Sequence, residues 1–285
     1  MNIKPIVDNT YKAIEWKNNF GRDIVDQIIK PALDGIFKGF DKFKFEVREM
    51  NNMLLKTRDD LDKFRLIISE LGYPPHFHMD VPTMIAIVEA YQENKESVID
   101  KFDTFMCTYF DSEKISNIGL KWEDRECLKS RITILRNVIM AHNLGMYGVS
   151  VPAIIAQYEG ILADAYKLKC QVDGRITRIM LNNLLNNSSG WIKDYDEDVL
   201  KYYNNNLLAD FYHGKNISSI ISRHAILHGG DFKYDKEDVS LRAILLFDYI
   251  SERIKDISET DIKSVNTKVN SYIRWKRNKN KAKKK

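Results

Sequence analysis

The sequence predicts an all-α fold, and three features predict it. Chain breakers are scarce, with 13 Gly and 6 Pro among 285 residues, too few for the closely spaced turns of a β-sandwich or barrel. No alternation of apolar and polar side chains runs longer than about four residues, short for a strand. Apolar side chains recur instead at steps of three and four, the spacing that lines up one face of a helix. A composition of 44% apolar and 29% charged side chains belongs to a folded chain rather than a disordered one.

The elements follow in order. Ile24, Val25, Ile28, Ile29, Ala32, Leu33, Ile36, Phe37 and Phe40 form one helical stripe, with a kink expected near Lys30 because Pro31 falls inside it. A second stripe runs from Phe45 through Leu54, Leu61, Phe64 and Ile67 to Leu71, and Gly72-Tyr73-Pro74-Pro75 stops it. Further helices are expected from Pro82 and around Val98–Phe110, and the polar stretch Asp111–Leu120 reads as a boundary or hinge. Periodicity from Trp122 to His142, a turn at Asn143–Gly148, and a helix over Val151–Leu168 with Pro152 in its first turn make a helical hairpin. Asn186–Gly190 is an exposed loop by composition. Residues 197–213 and a short stretch at 217–229 read as helices, Asp231–Asp238 as a loop, and Val239–Ile257 as the last clear helix. The predicted organisation is a helical region at 1–115 of unknown role, a bundle at 120–258, and a basic extension at 259–285.

Charge is unevenly placed. The formal net charge is +4, yet residues 274–285 alone carry eight Lys or Arg and no acid, leaving a mildly acidic body. Arg274, Trp275, Lys276 and Arg277, with Tyr272 close by, combine cations with aromatic rings, a pairing that suits RNA phosphates and stacked bases. Cys107, Cys127 and Cys170 are widely spaced and odd in number, and no secretory leader is read at the N-terminus. Reduced thiols and a cytoplasmic location are the expectation. No apolar run reaches the roughly 18 residues a bilayer span requires, so no membrane association is expected. Neither a phosphate-binding P-loop nor a dinucleotide fingerprint is present, and no nucleophile elbow supplies a Ser/His/Asp triad. His76-x-His78 with Asp80 is too few ligands for structural zinc. No cofactor and no metal is called for.

The stretch Arg223-His224-Ala225-Ile226-Leu227-His228-Gly229-Gly230 is the candidate site. Arg suits phosphate, and His moves protons near neutral pH. Five residues apart, Arg223 and His228 would lie about 140° from eclipsed on a regular helix, so a turn or a helix end is needed to bring them to one cleft. Such a pair could let a ribose 2′-OH attack its own phosphate without a metal. Glu159, on an otherwise apolar helix face, could pair with Arg223, orient His228, or simply be partly exposed.

This stretch resembles the R-x4-6-H motif of the HEPN superfamily of helical ribonucleases, with His224 in the polar position after the Arg. Ala141-His142-x-x-Gly145-x-Tyr147 and Ile154-x-x-x-Tyr158-Glu159 look like the first two HEPN helices, and Leu241–Ile254 like the closing one. The resemblance spans roughly residues 122–257 and is closest in tone to bacterial abortive-infection proteins. It implies a helical bundle that homodimerises with two motifs facing each other. It also implies metal-independent RNA cleavage leaving a 2′,3′-cyclic phosphate and a 5′-OH. By position, Arg223 would bind phosphate, His228 would transfer protons, and His224 would orient the pair. Arg136-Asn137-Val138-Ile139-Met140-Ala141-His142 also fits the spacing. It reads better as part of the opening hairpin, with His142 packed against the turn and Arg136 and Asn137 as supporting or RNA-contacting groups. The resulting expectation is a toxin-like endoribonuclease of antiphage defence, with an antitoxin or a phage-derived trigger as further partner. A catalytically inert HEPN-type module, binding RNA, nucleotide or protein, is the alternative.

Overall fold

A computed structural model describes residues 58–217 and 219–282. The stripe at residues 24–40, its expected kink at Pro31 and the first part of the second stripe lie outside the described residues. The chain divides into two compact units, one holding residues up to Leu66 together with Phe77–Glu93, the other holding Ile67–His76 and the residues from Asn94 onward. Every regular element among the described residues is helical. Helix α1 covers residues 58–70 and stops at Gly72, whose φ of 81° is a left-handed value that glycine tolerates. In the first unit, α2 (Val81–Glu93) buries Met84, Ile87 and Val88, and the Asp80 side chain accepts the Thr83 amide at 2.9 Å.

The second unit is built around α10 (Glu237–Arg253), in which every residue from Val239 to Ser251 is buried. A helix buried on all sides is the centre of a bundle, and its buried Ser240, Arg242, Asp248 and Ser251 are satisfied by polar partners within it. It packs on α6 (Tyr147–Ala165), α3 (Lys95–Tyr109) and α5 (Ile132–Asn143), and α5 and α6 form the hairpin. Outside these lie α4 (Ser112–Glu123), α7 (Gly174–Asn186), α8 (Trp191–Asn205), the five-residue α9 (Arg223–Leu227) and α11 (Glu259–Ala282), with 3₁₀ turns at Glu126–Arg131 and Ile254–Asp256. α9 packs on α6, and α11 on α7.

Four expectations are corrected. The stretch Asp111–Leu120 is not a hinge, because Asp111 caps α4 by accepting the Lys114 amide at 2.9 Å, and Ile115, Ile118 and Trp122 bury one face. The run from Trp122 to His142 is not one helix. It breaks at Arg125, whose extended backbone sends the guanidinium inward to Asp248 at 2.8 Å, where the Trp122 indole N–H also donates to Asp248 at 2.8 Å. α6 begins at Tyr147, so Pro152 falls in its second turn and the helix forgoes one backbone bond there. The helix expected at 197–213 is α8, which starts at Trp191 and ends at Asn205, and residues 206–217 and 219–222 are irregular. α7 carries the stripe Ile176, Met180, Leu181, Leu184 and Leu185. The basic extension is itself helical from Glu259, anchored by buried Val265 and Val269.

Candidate functional site

The site grows from α9. The Ser222 hydroxyl accepts the Ala225 amide at 3.3 Å and so starts the helix, and Ala225 and Ile226 are buried beneath it. Its end is a left-handed glycine turn: Gly229, at φ 69°, donates to Ile226 O at 3.1 Å, and Gly230 donates to Ala225 O at 2.7 Å. So short a helix holds Arg223 in its first turn and His228 at its closing cap. His224 and His228 are one turn apart and share a face, their rings parallel within 5° and 6.0 Å between centroids.

The Arg223 side chain is 12% exposed and forms an ion pair with Glu159 of α6. Glu159 also accepts the Thr177 hydroxyl of α7 at 2.6 Å. The other edge of the guanidinium, at Nη2, faces His224 Nε2 at 3.5 Å. Burial, then the charge of Arg223 and the neighbouring His228, hold the His224 imidazole below the usual histidine range. A neutral ring with its proton on Nδ1 can accept from Arg223 at that Nε2. The groups therefore run in a line from the bundle to solvent: Thr177, Glu159, Arg223, His224 and then His228, which is exposed. Behind the line sits Tyr203 of α8. It is fully buried, its ring 5.6 Å edge-on from Tyr158, and its hydroxyl has no hydrogen-bond partner among the described residues. Burial and the Glu159 charge push that hydroxyl far above the usual tyrosine range, with Arg223 opposing.

The first turn of α7 links this line to the basic helix. Asp173 caps α7 by accepting the Ile176 amide at 3.1 Å, and its other oxygen takes the Tyr272 hydroxyl at 3.1 Å and Lys276 Nζ at 2.7 Å. The Thr177 hydroxyl that holds Glu159 also lies 3.1 Å from the Asp173 carbonyl. One helical turn thus separates the α11 anchor from the Glu159–Arg223 pair. On α11, Arg274, Trp275, Lys276 and Arg277 are all exposed. Trp275 stacks on Tyr272 at 5.9 Å, and Lys279 Nζ lies 4.9 Å from the Trp275 ring centre.

The remaining sequence candidates have other surroundings. Arg136 makes an exposed ion pair with Glu123, and Asn137 is exposed on the same helix. Neither belongs to the contacts described around Arg223. His142 is buried, with Nδ1 at 2.8 Å from Ser240 Oγ, which in turn meets Ser150 Oγ at 2.9 Å. Its ring packs edge-on against Tyr147 at 5.4 Å, and burial pushes its pKa down to about 4. His76 is buried edge-on against Phe110 at 5.4 Å. Among the described residues, no three His, Cys, Asp or Glu are placed to hold a metal ion, and no helix is long and apolar enough to cross a membrane. Thr177, Tyr203 and Asp173 are additions that sequence reasoning missed; they meet Glu159, Arg223 and α11 only through tertiary packing, which leaves no local pattern.

No family model, curated protein or solved structure matches the chain.

Proposed function

We propose that this chain is a metal-independent endoribonuclease of the HEPN type. It acts as a cytoplasmic homodimer in a toxin-like, abortive-infection response to phage, restrained by an antitoxin or released by a phage-derived trigger. One observation carries the chemical part: Arg223 is fixed by Glu159 on one edge and presents its other edge to a pair of stacked imidazoles that ends in exposed His228. A phosphodiester laid against that edge meets a delocalised cation beside a proton-transfer group. The 2′ oxygen bonds to phosphorus as it loses its proton to an imidazole. The bond from phosphorus to the 5′ oxygen breaks as that oxygen gains a proton, the matching motif of a second copy being the source. The products are a 2′,3′-cyclic phosphate and a 5′-OH. Arg223 offsets the charge that builds on the phosphoryl oxygens, and His224, kept neutral, holds the guanidinium's free edge in line.

A second reading has its own support. The Glu159 carboxylate already neutralises Arg223, and so little of that side chain is exposed that the site also suits a module binding RNA or a partner without cutting. Incubating the protein with RNA in EDTA separates the two. Cleavage that disappears in His228→Ala while helicity is retained supports the nuclease. An intact substrate with the wild-type protein leaves the binding module.

A further inference from the structure

The irregular stretch between α8 and α9 contains Phe211-Tyr212-His213-Gly214-Lys215, and it is fastened to the motif at three points. The Arg223 amide donates to Leu207 O at 3.1 Å, and the Ser222 hydroxyl donates to Ala209 O at 3.4 Å. The Phe211 ring lies so close over Gly230 that a Cβ there would fall 1.9 Å from its tip. Only glycine permits that approach, and Gly230 is two residues from His228. His213 packs edge-on against Phe211 at 4.6 Å. The Lys215 amide then donates to Tyr212 O at 3.1 Å across a turn whose Gly214 has φ 80°. This turn carries Lys215 Nζ to 5.2 Å from the Tyr212 ring centre. Tyr212 is 64% exposed, and Phe232, two residues past Gly230, is 80% exposed.

An exposed flat ring with an ammonium beside it, on a stretch fastened to the Arg223 amide, the Ser222 hydroxyl and Gly230, has the chemistry of a base-stacking step. We infer that Phe211–Lys215 is a nucleobase-binding platform for single-stranded RNA. Tyr212 takes the face of a base, Lys215 meets the adjoining phosphate, and Phe211 fixes the platform relative to His228. The occupant rests on the RNA reading above. A protein partner is disfavoured because the apolar rings are interleaved with His213 and Lys215, polar groups that a dry interface would have to desolvate.

The test uses a short single-stranded RNA, fully 2′-O-methylated so that it cannot be cut, carrying 2-aminopurine at one position, and the same strand made abasic there. Wild-type protein should quench the 2-aminopurine. Tyr212→Ala, a surface change, should weaken the base-bearing strand about tenfold, the loss of one stack, and leave the abasic strand unchanged. Tyr212→Trp should restore both quenching and affinity. Gly230→Ala, which pushes Phe211 aside, should mimic Tyr212→Ala. Equal loss for the two strands, or no loss for either, overturns the platform and points to a protein-facing surface. Cleavage of unmodified RNA is scored in parallel. Quenching without cleavage keeps the platform and removes the nuclease; cleavage with Tyr212→Ala binding as wild type does the reverse.

Discussion

Glu159→Gln changes one charge in the candidate site and almost nothing else. The amide keeps the size of the carboxylate, can still accept from Thr177 and can stay against Arg223. What it loses is the charge that balances a mostly buried guanidinium. A hydrogen bond to a charged group contributes about 1.5–3 kcal/mol and a neutral one about 0.5–1.5. The difference is about 1–1.5 kcal/mol, and the partial exposure of Glu159 argues for its lower end, about 1 kcal/mol. In a chain of this size that is a fall of about 2–4 °C in Tm. Arg223, freed from its anchor, should bind RNA phosphate more tightly but cleave more slowly, because its edge is no longer held toward His224. The assay pairs urea unfolding with single-turnover cleavage, so that KM and kcat shifts are read separately. A variant as stable as wild type, with both constants unchanged, would refute the positioning role of Glu159.

Other consequences follow from the same structure. Asp248→Ala takes the Trp122 indole's partner and one of the two carboxylates around buried Arg125, leaving half-exposed Glu252 at 2.9 Å; a loss near the lower end of the range for breaking a buried pair, about 3 kcal/mol, is expected, read as a lower urea midpoint. His142 titrates near 4 when folded and near 6.5 when unfolded. The unfolded chain therefore takes the proton first, so stability should be full above about pH 6.5 and fall as pH drops toward 4, by about 3 kcal/mol in the limit. Urea midpoints at pH 7, 5.5 and 4.5 should show the slope, and His142→Gln should flatten it. Removing residues 274–285 should weaken RNA binding, and each phosphate-facing Lys or Arg lost should reduce the salt slope by about 0.7. An unchanged slope in a fluorescence titration would remove α11 from the RNA path.

How far the sequence could be read depended on how local each signal was. The α5–α6 hairpin and the stop at Gly72 were legible, because apolar spacing and a left-handed glycine act within a few residues. α4 was mistaken for a hinge because its polar residues outnumber Ile115, Ile118 and Trp122, which nonetheless share one face. The sequence of α11 shows only a basic extension, since two buried valines are a faint stripe in 24 residues. In the site, Arg223, His224, His228 and Glu159 were picked out as candidates by residue type and position. Their partners Thr177 and Tyr203 come from distant helices and carry no mark in the sequence. Arg136 repeats the motif's spacing, but it lies on the hairpin helix α5, where the fold pairs it with Glu123 at the surface.

The end groups of RNA fragments produced in EDTA are the most direct measure of whether Arg223 and His228 perform the proposed chemistry. The proposed chemistry gives 2′,3′-cyclic phosphates and 5′-hydroxyls, produced by wild type and absent with Arg223→Ala or His228→Ala. Fragments ending in 5′-phosphate, or the same fragments from His228→Ala, would contradict it.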